Sequence, residues 1–167
     1  MEIVIASGSG HGKTPLSAFD AALKNAGVHN YNLLYISSII PKGSVLKIKK
    51  LEPKTNEYGH RLYVVKAEMR SRETGKYIGA ALGWYQLKDG RGVFVEHEEI
   101  AETEESVRAN LTKEIYESLT DLCRVRSYPL NKKSMKIKMS IVKIENSATS
   151  VLVLAVYKSE GWDKNRE

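Results

Sequence analysis

Three short stretches of this chain place reactive residue types at a spacing that could support chemistry. The first is Ile36-Ser37-Ser38-Ile39-Ile40-Pro41, two serines in an apolar run closed by proline. Serine pairs in such places usually make only local hydrogen bonds. A strained backbone there would also permit the Ser38 hydroxyl to attack the Ser37 carbonyl, turning the peptide link into an ester. Elimination from that ester leaves dehydroalanine at 38. Its hydrolysis releases ammonia and yields a chain that begins with a ketone-bearing pyruvoyl group.

The second stretch is Gly12-Lys13-Thr14, between an apolar segment and a helix, where backbone amides, a lysine and a hydroxyl can cradle nucleotide phosphates. The full pattern asks for a glycine where Ser7 stands, and Pro15 removes an N–H that the helix should supply. A flexible glycine loop running into a capped helix is the simpler account, and a nucleotide-phosphate-binding enzyme is the runner-up. The third stretch is acidic, with glutamates at 96, 98, 99, 102, 104 and 105 and no cation among them. Most of these read as a solvated surface or as helix-dipole partners. Glu96 differs, because it continues the apolar Val93-Phe94-Val95, where partial burial would raise its pKa and suit it to donate a proton. His97 has no ligand spacing with His11, His29 or His60, so no metal site is expected. Cys123, beside an apolar helix face, reads as an inert buried thiol.

These residues must be positioned by one domain, since the chain has 167 residues and 18.7 kDa. The single cysteine excludes an internal disulfide and a Cys-rich zinc module, and it suits a reducing compartment. The longest apolar run, Val151 to Tyr157, is strand-sized and far below the ~20 residues of a membrane span. The N-terminus lacks a cationic and then apolar leader, so a soluble cytoplasmic protein is expected. A net charge of +6 names no partner. The basic segments 47–50 and 132–138 alternate with apolar residues and carry no stacking aromatics, so nucleic acid is not expected. An uncleaved basic binding domain is the non-enzymatic alternative.

Ile3-Val4-Ile5 reads as a strand that runs into the glycine loop 8–12. Thr14 as N-cap, Pro15 at the first helical position and the stripe Leu16, Phe19, Leu23 and Ala26 predict a helix that Gly27 stops. Residues 31–40 read as one strand, and Leu46 and Ile48 as a half-exposed one. Further strands are predicted near 61–71, 76–87, 92–98, 135–141 and 150–157, with a loose tail over 158–167. Val107, Leu111, Ile115, Leu119 and Leu122 define a second long helix over 103–124. Two helices and many hairpin-length connections imply an α+β fold dominated by antiparallel strands.

Longer phrases carry a family resemblance. Gly12-Lys13-Thr14-Pro15-Leu16-Ser17-Ala18-Phe19-Asp20-Ala21-Ala22-Leu23, then Asn25-Ala26-Gly27, Asn30-Tyr31-Asn32-Leu33, Ile36 to Pro41 and finally Val95-Glu96-His97-Glu98 resemble the pyruvoyl-dependent arginine decarboxylases in order and register. The resemblance implies a layered αββα sandwich of this single domain, assembled as a trimer or a dimer of trimers with sites between subunits. It also implies self-cleavage between Ser37 and Ser38 into a β chain, 1–37, and an α chain, 38–167, that starts with a pyruvoyl group derived from Ser38. Asn32 would assist the cleavage by polarising the Ser37 carbonyl. The arginine α-amine would then form a Schiff base with the ketone, which takes up the electrons released with carbon dioxide. Glu96 would protonate the α-carbon to give agmatine, an early polyamine intermediate. Asp20, expected half-buried on the first helix, would face the guanidinium.

Overall fold

The computed structural model describes residues 1–52 and 54–162. In chain order the elements are β1 (Glu2–Gly12), α1 (Pro15–Ala26), β2 (Asn32–Tyr35), β3 (Ile39–Ile40), β4 (Val45–Ile48), β5 (Arg61–Ser71), β6 (Tyr77–Gln86), β7 (Gly92–Ala101), α2 (Glu104–Val125), β8 (Lys136–Lys143) and β9 (Ala148–Glu160). Two single-turn 3₁₀ helices lie at Thr55–Glu57 and Lys132–Ser134. The strands form a five-stranded sheet of order β2-β5-β9-β1-β4 and a four-stranded sheet of order β3-β7-β6-β8. Pairing is antiparallel except where β4 joins β1 and β2 joins β5 at the two edges of the larger sheet.

Three apolar layers follow from strand alternation. Ile3, Ile5, Val65, Ala67, Val151, Val153 and Ala155 of the larger sheet meet Ile78, Ala80, Leu82, Trp84 and Phe94 of the smaller one. The opposite face of the larger sheet, with Val64, Leu152 and Leu154, packs on Ala22, Leu23 and Ala26 of α1. The outer face of the smaller sheet, with Ala81, Tyr85, Val93 and Val95, packs on Val107, Leu111, Ile115, Leu119 and Cys123 of α2. The result is the expected αββα order of layers. β9 is buried on both faces through Tyr157, which explains its unbroken apolar sequence.

Two expectations change. The glycine loop does not exist, because residues 8–12 continue β1 and pair with β9 from Gly8 opposite Leu152 to Gly12 opposite Ala148. The glycines instead let α1 lie close to the strand. A Cβ at Gly8 would come within 2.2 Å of the Ala22 carbonyl oxygen, and one at Gly10 within 2.4 Å of the Ala22 nitrogen. This close approach also selects the buried stripe of α1, which is made of Ala18, Ala22, Leu23 and Ala26, while Leu16 stands 68% exposed. The predicted tail begins later than expected, since Lys158, Ser159 and Glu160 still belong to β9, and residues 163–167 lie outside the described residues.

Candidate active site

The predicted strand over 31–40 is two strands in two different sheets, and the serine pair is where the chain crosses between them. β2 runs parallel to β5, and its last tie to that sheet is the Ile36 N–H donating to the Val64 carbonyl at 3.0 Å. The first tie to the other sheet is the Phe94 N–H donating to the Ser38 carbonyl at 2.8 Å, after which Ile39 pairs with Val93. Ile36 packs against the core between the sheets and Ile40 is buried within it, so apolar anchors hold the crossing on both sides. At Ser38 the chain bends: the Ile39 N–H donates to the Ser37 carbonyl at 2.9 Å. Among the described residues only Ser127 is a non-glycine with positive φ, so this three-residue turn is of the inverse γ kind that is common at strand ends. The distortion expected at the serine pair is therefore a tight turn rather than a left-handed residue.

Glu96 faces that turn. The Ser38 hydroxyl donates to its carboxylate, with Oγ 2.9 Å from Oε2 and 3.2 Å from Oε1. Alternation along β7 explains the placement, since Phe94 points into the core between the sheets and Glu96, two residues on, shares its face. β3 covers β7 only opposite residues 92 and 93, so Glu96 lies on an open edge and is exposed. The partial burial expected for it is not found in a single chain. Glu98, next on the same face, accepts from the Glu68 N–H of β5 at 3.0 Å and joins the edges of the two sheets.

Sequence reasoning missed Tyr157. Its phenol, nearly buried at the end of the apolar run of β9, donates to the Ile39 carbonyl at 2.9 Å, and its ring meets Phe94 edge-on at 6.4 Å between centroids. Burial, reinforced by the negative charge of Glu96, pushes its pKa well above the ordinary tyrosine value. A tyrosine closing a buried apolar strand was a usable signal, because a buried phenol requires an acceptor.

Other candidates are placed elsewhere. Asn32 begins β2, where its side-chain amide donates to the Gly59 carbonyl at 2.7 Å. Five residues of extended chain, about 16 Å, separate it from Ser37, so within one chain it does not polarise the Ser37 carbonyl. Asp20 is exposed rather than half-buried, on a helix that covers the outer face of the larger sheet. Thr14, the hydroxyl of the runner-up phosphate site, caps α1 by accepting from the Ser17 N–H at 3.0 Å, in a capping box with the Ser17 side chain. With residues 8–12 engaged as a strand, no amide cradle is left for phosphate, and the expected nucleotide-phosphate site is not formed. The His97 ring nitrogen lies 2.8 Å from the Ser118 hydroxyl, and no cluster of metal-ligating side chains occurs among the described residues. Burial pushes the Cys123 thiol up, as suits an inert core cysteine. No described helix is long and apolar enough to cross a membrane.

The fold and site thus define a four-layer α+β protein with a serine hydroxyl held by a carboxylate at the crossing between its sheets. Residues 2–161 match the family described as pyruvoyl-dependent arginine decarboxylase. A protein of that name from Thermoplasma volcanium is 31% identical over 159 residues, covering 92% of this chain and 87% of the relative. One from Halobacterium salinarum is 38% identical over 94 residues, 56% of this chain and 58% of the relative. One from Methanocaldococcus jannaschii is 48% identical over 50 residues, 29% of this chain and 30% of the relative. The chain belongs to the pyruvoyl-dependent arginine decarboxylase family, a family of carboxy-lyases whose name specifies a pyruvoyl group.

Proposed function

We propose that the chain cleaves itself between Ser37 and Ser38 and that the resulting enzyme decarboxylates L-arginine to agmatine and carbon dioxide. The observation that carries this reading is the Ser38 hydroxyl donating to Glu96 at a turn whose scissile carbonyl already accepts an N–H. These residues fit the origin of a pyruvoyl group: a serine to become it, a carboxylate to take the hydroxyl proton, and a polarised carbonyl to receive the oxygen. Glu96 then serves twice. It is the base for Ser38 in the intact chain, and in turnover it delivers a proton to the substrate α-carbon. Once formed, the pyruvoyl ketone supplies Schiff-base chemistry, an electron sink for the pair released as carbon dioxide departs.

Asp20 supplies the carboxylate for the planar guanidinium, in geometry that favours paired hydrogen bonds. Its exposure, with that of Leu16 on the same helix and of Tyr35 and Ile39 beside the crossing, supports an assembly in which Asp20 of one subunit completes the site of the next, as in a trimer. Denaturing mass spectrometry of the purified protein tests the reading. The expected result is a 37-residue fragment ending at Ser37 and a larger fragment whose N-terminal carbonyl is reduced by borohydride, with water taken up and ammonia lost overall. A single intact polypeptide with serine at position 38 would leave only the uncleaved binding domain.

A further inference from the structure

Self-cleavage requires a hydrogen-bond donor for the Ser37 carbonyl oxygen as it becomes an oxyanion. Asn32 does not provide one within the chain, since its amide is committed to Gly59. The backbone does. The Ile39 N–H points at the Ser37 oxygen from 2.9 Å. What aims it is the far end of the same peptide unit: the Ser38 carbonyl is gripped by the Phe94 N–H at 2.8 Å, which fixes the plane of the 38–39 peptide against β7. The following peptide is fixed as well, because the Ile39 carbonyl accepts from the buried Tyr157 phenol at 2.9 Å.

Resting on the cleavage reading above, we propose that the backbone N–H of Ile39 is the oxyanion donor for chain cleavage. In the step it serves, the Ser38 Oγ forms a bond to the Ser37 carbonyl carbon. The hydroxyl proton passes to Glu96, and the carbonyl π pair moves onto the Ser37 oxygen, where the Ile39 N–H stabilises it. That pair then re-forms the carbonyl as the bond from Ser37 carbon to Ser38 nitrogen breaks. The nitrogen takes the bonding pair and receives the proton back from Glu96, leaving an ester and a free amine with no other reactant consumed. The donor is in place before reaction and needs no rearrangement, which is what makes such donors effective. Because β3 is an edge strand with β7 on one side only, the Ile39 N–H is not drawn into a ladder and turns back along its own chain.

The test replaces single amides by esters. Isoleucine 39 is exchanged for its α-hydroxy acid by ligation or by a chemically acylated tRNA, which keeps the side chain, puts an ester oxygen in place of the N–H and makes the preceding carbonyl a weaker acceptor, as the same exchange does at any position. A second protein carries the same exchange at position 36, deleting the Ile36 bond to Val64, an equal loss to the fold that leaves the Ser37 carbonyl untouched. Release of the 37-residue fragment is followed by mass spectrometry. The proposal expects the Ile39 ester to cleave ~10² to 10³ times more slowly than the all-amide chain, the effect of losing one oxyanion donor, and the Ile36 ester to cleave within about threefold of it. Equal slowing of both esters, or an Ile39 ester at the normal rate, would overturn it. Should the Ile39 ester fail to fold, hydrogen exchange of the uncleavable Ser38→Ala chain decides: the amide of Ile39, an exposed residue, should be protected at least tenfold, and free exchange would sink the idea. An all-amide chain that never cleaves would instead refute the underlying reading of the function.

Discussion

Replacing Glu96 by glutamine separates the two tasks assigned to this side chain. Ser38 Oγ donates to both carboxylate oxygens, at 2.9 and 3.2 Å. Glutamine keeps the volume and one acceptor oxygen but is not basic, so the hydroxyl proton has no destination as the new bond forms. A positioned general base contributes roughly 10²- to 10⁴-fold, which is about 2.7 to 5.4 kcal/mol on the barrier. Cleavage of Glu96→Gln should slow by that factor. Glu96 is exposed and holds no core residue, so the melting temperature should move by no more than a degree or two. The assay is the time course of the 37-residue fragment on denaturing gels, followed by carbon dioxide release per titrated carbonyl group in whatever fraction has cleaved. Both rates should fall, the second because the same proton is missing at the substrate α-carbon. Glu98→Gln is the control for local negative charge, since it sits on the same face but touches Glu68 rather than Ser38, and it should cleave within about threefold of normal. Normal cleavage in Glu96→Gln, or equal slowing in both variants, would refute this proton path.

Three further outcomes are expected. Gly10→Ala should lower the melting temperature by about 2 to 12 °C, because its Cβ would meet the backbone of α1 at 2.4 and 2.7 Å and overpacking of this sort costs about 1 to 3 kcal/mol; an unchanged melting curve would remove the close-approach account of the β1 glycines. Asp20→Asn should raise KM for arginine roughly 10- to 100-fold, the loss of a charged hydrogen bond, and mixing it with Ser38→Ala subunits should restore activity if the two residues come from different subunits, whereas no recovery places them in one. Glu57, whose carboxylate the Lys54 ammonium together with the Tyr31 and Ser159 hydroxyls holds down to about 2 from an ordinary 4.5, stabilises the fold fully above 4.5, and that contribution is lost as pH falls toward 2. Glu57→Gln should therefore flatten part of the acid limb of the stability profile in urea titrations, the remainder belonging to Glu2, likewise held down to about 2 by Lys47 and Lys49.

The order of elements was legible because local rules dictate it. Thr14, Pro15 and Gly27 bracket α1 as capping chemistry requires, and the spacing of Val107, Leu111, Ile115 and Leu119 places α2 on the sheet as built. The long antiparallel strands also fell where alternation put them. Composition and local pattern sufficed there, because the deciding energies act between residues a few positions apart. The serine pair, Glu96 and the acid's place after Val93-Phe94-Val95 could likewise be singled out in the chain, with their roles suggested by resemblance.

Only the tertiary structure decided what depends on partners far along the chain. Ser7 to Gly12 are a strand rather than a loop because β9, about 140 residues later, pairs with them and α1 folds back upon them. Residues 31–40 divide between two sheets because β5 claims 32–35 and β7 claims 39–40, an allocation that the β-rich sequence of 31–40 cannot express. That division sets Ser38 against Glu96, 58 residues away, and brings the Tyr157 phenol, 118 residues from Ile39, onto the same turn. Side-chain types fix which chemistry is possible, but bringing a hydroxyl, a carboxylate and a backbone N–H into mutual reach is a matter of packing two sheets, and that is settled by the whole chain at once.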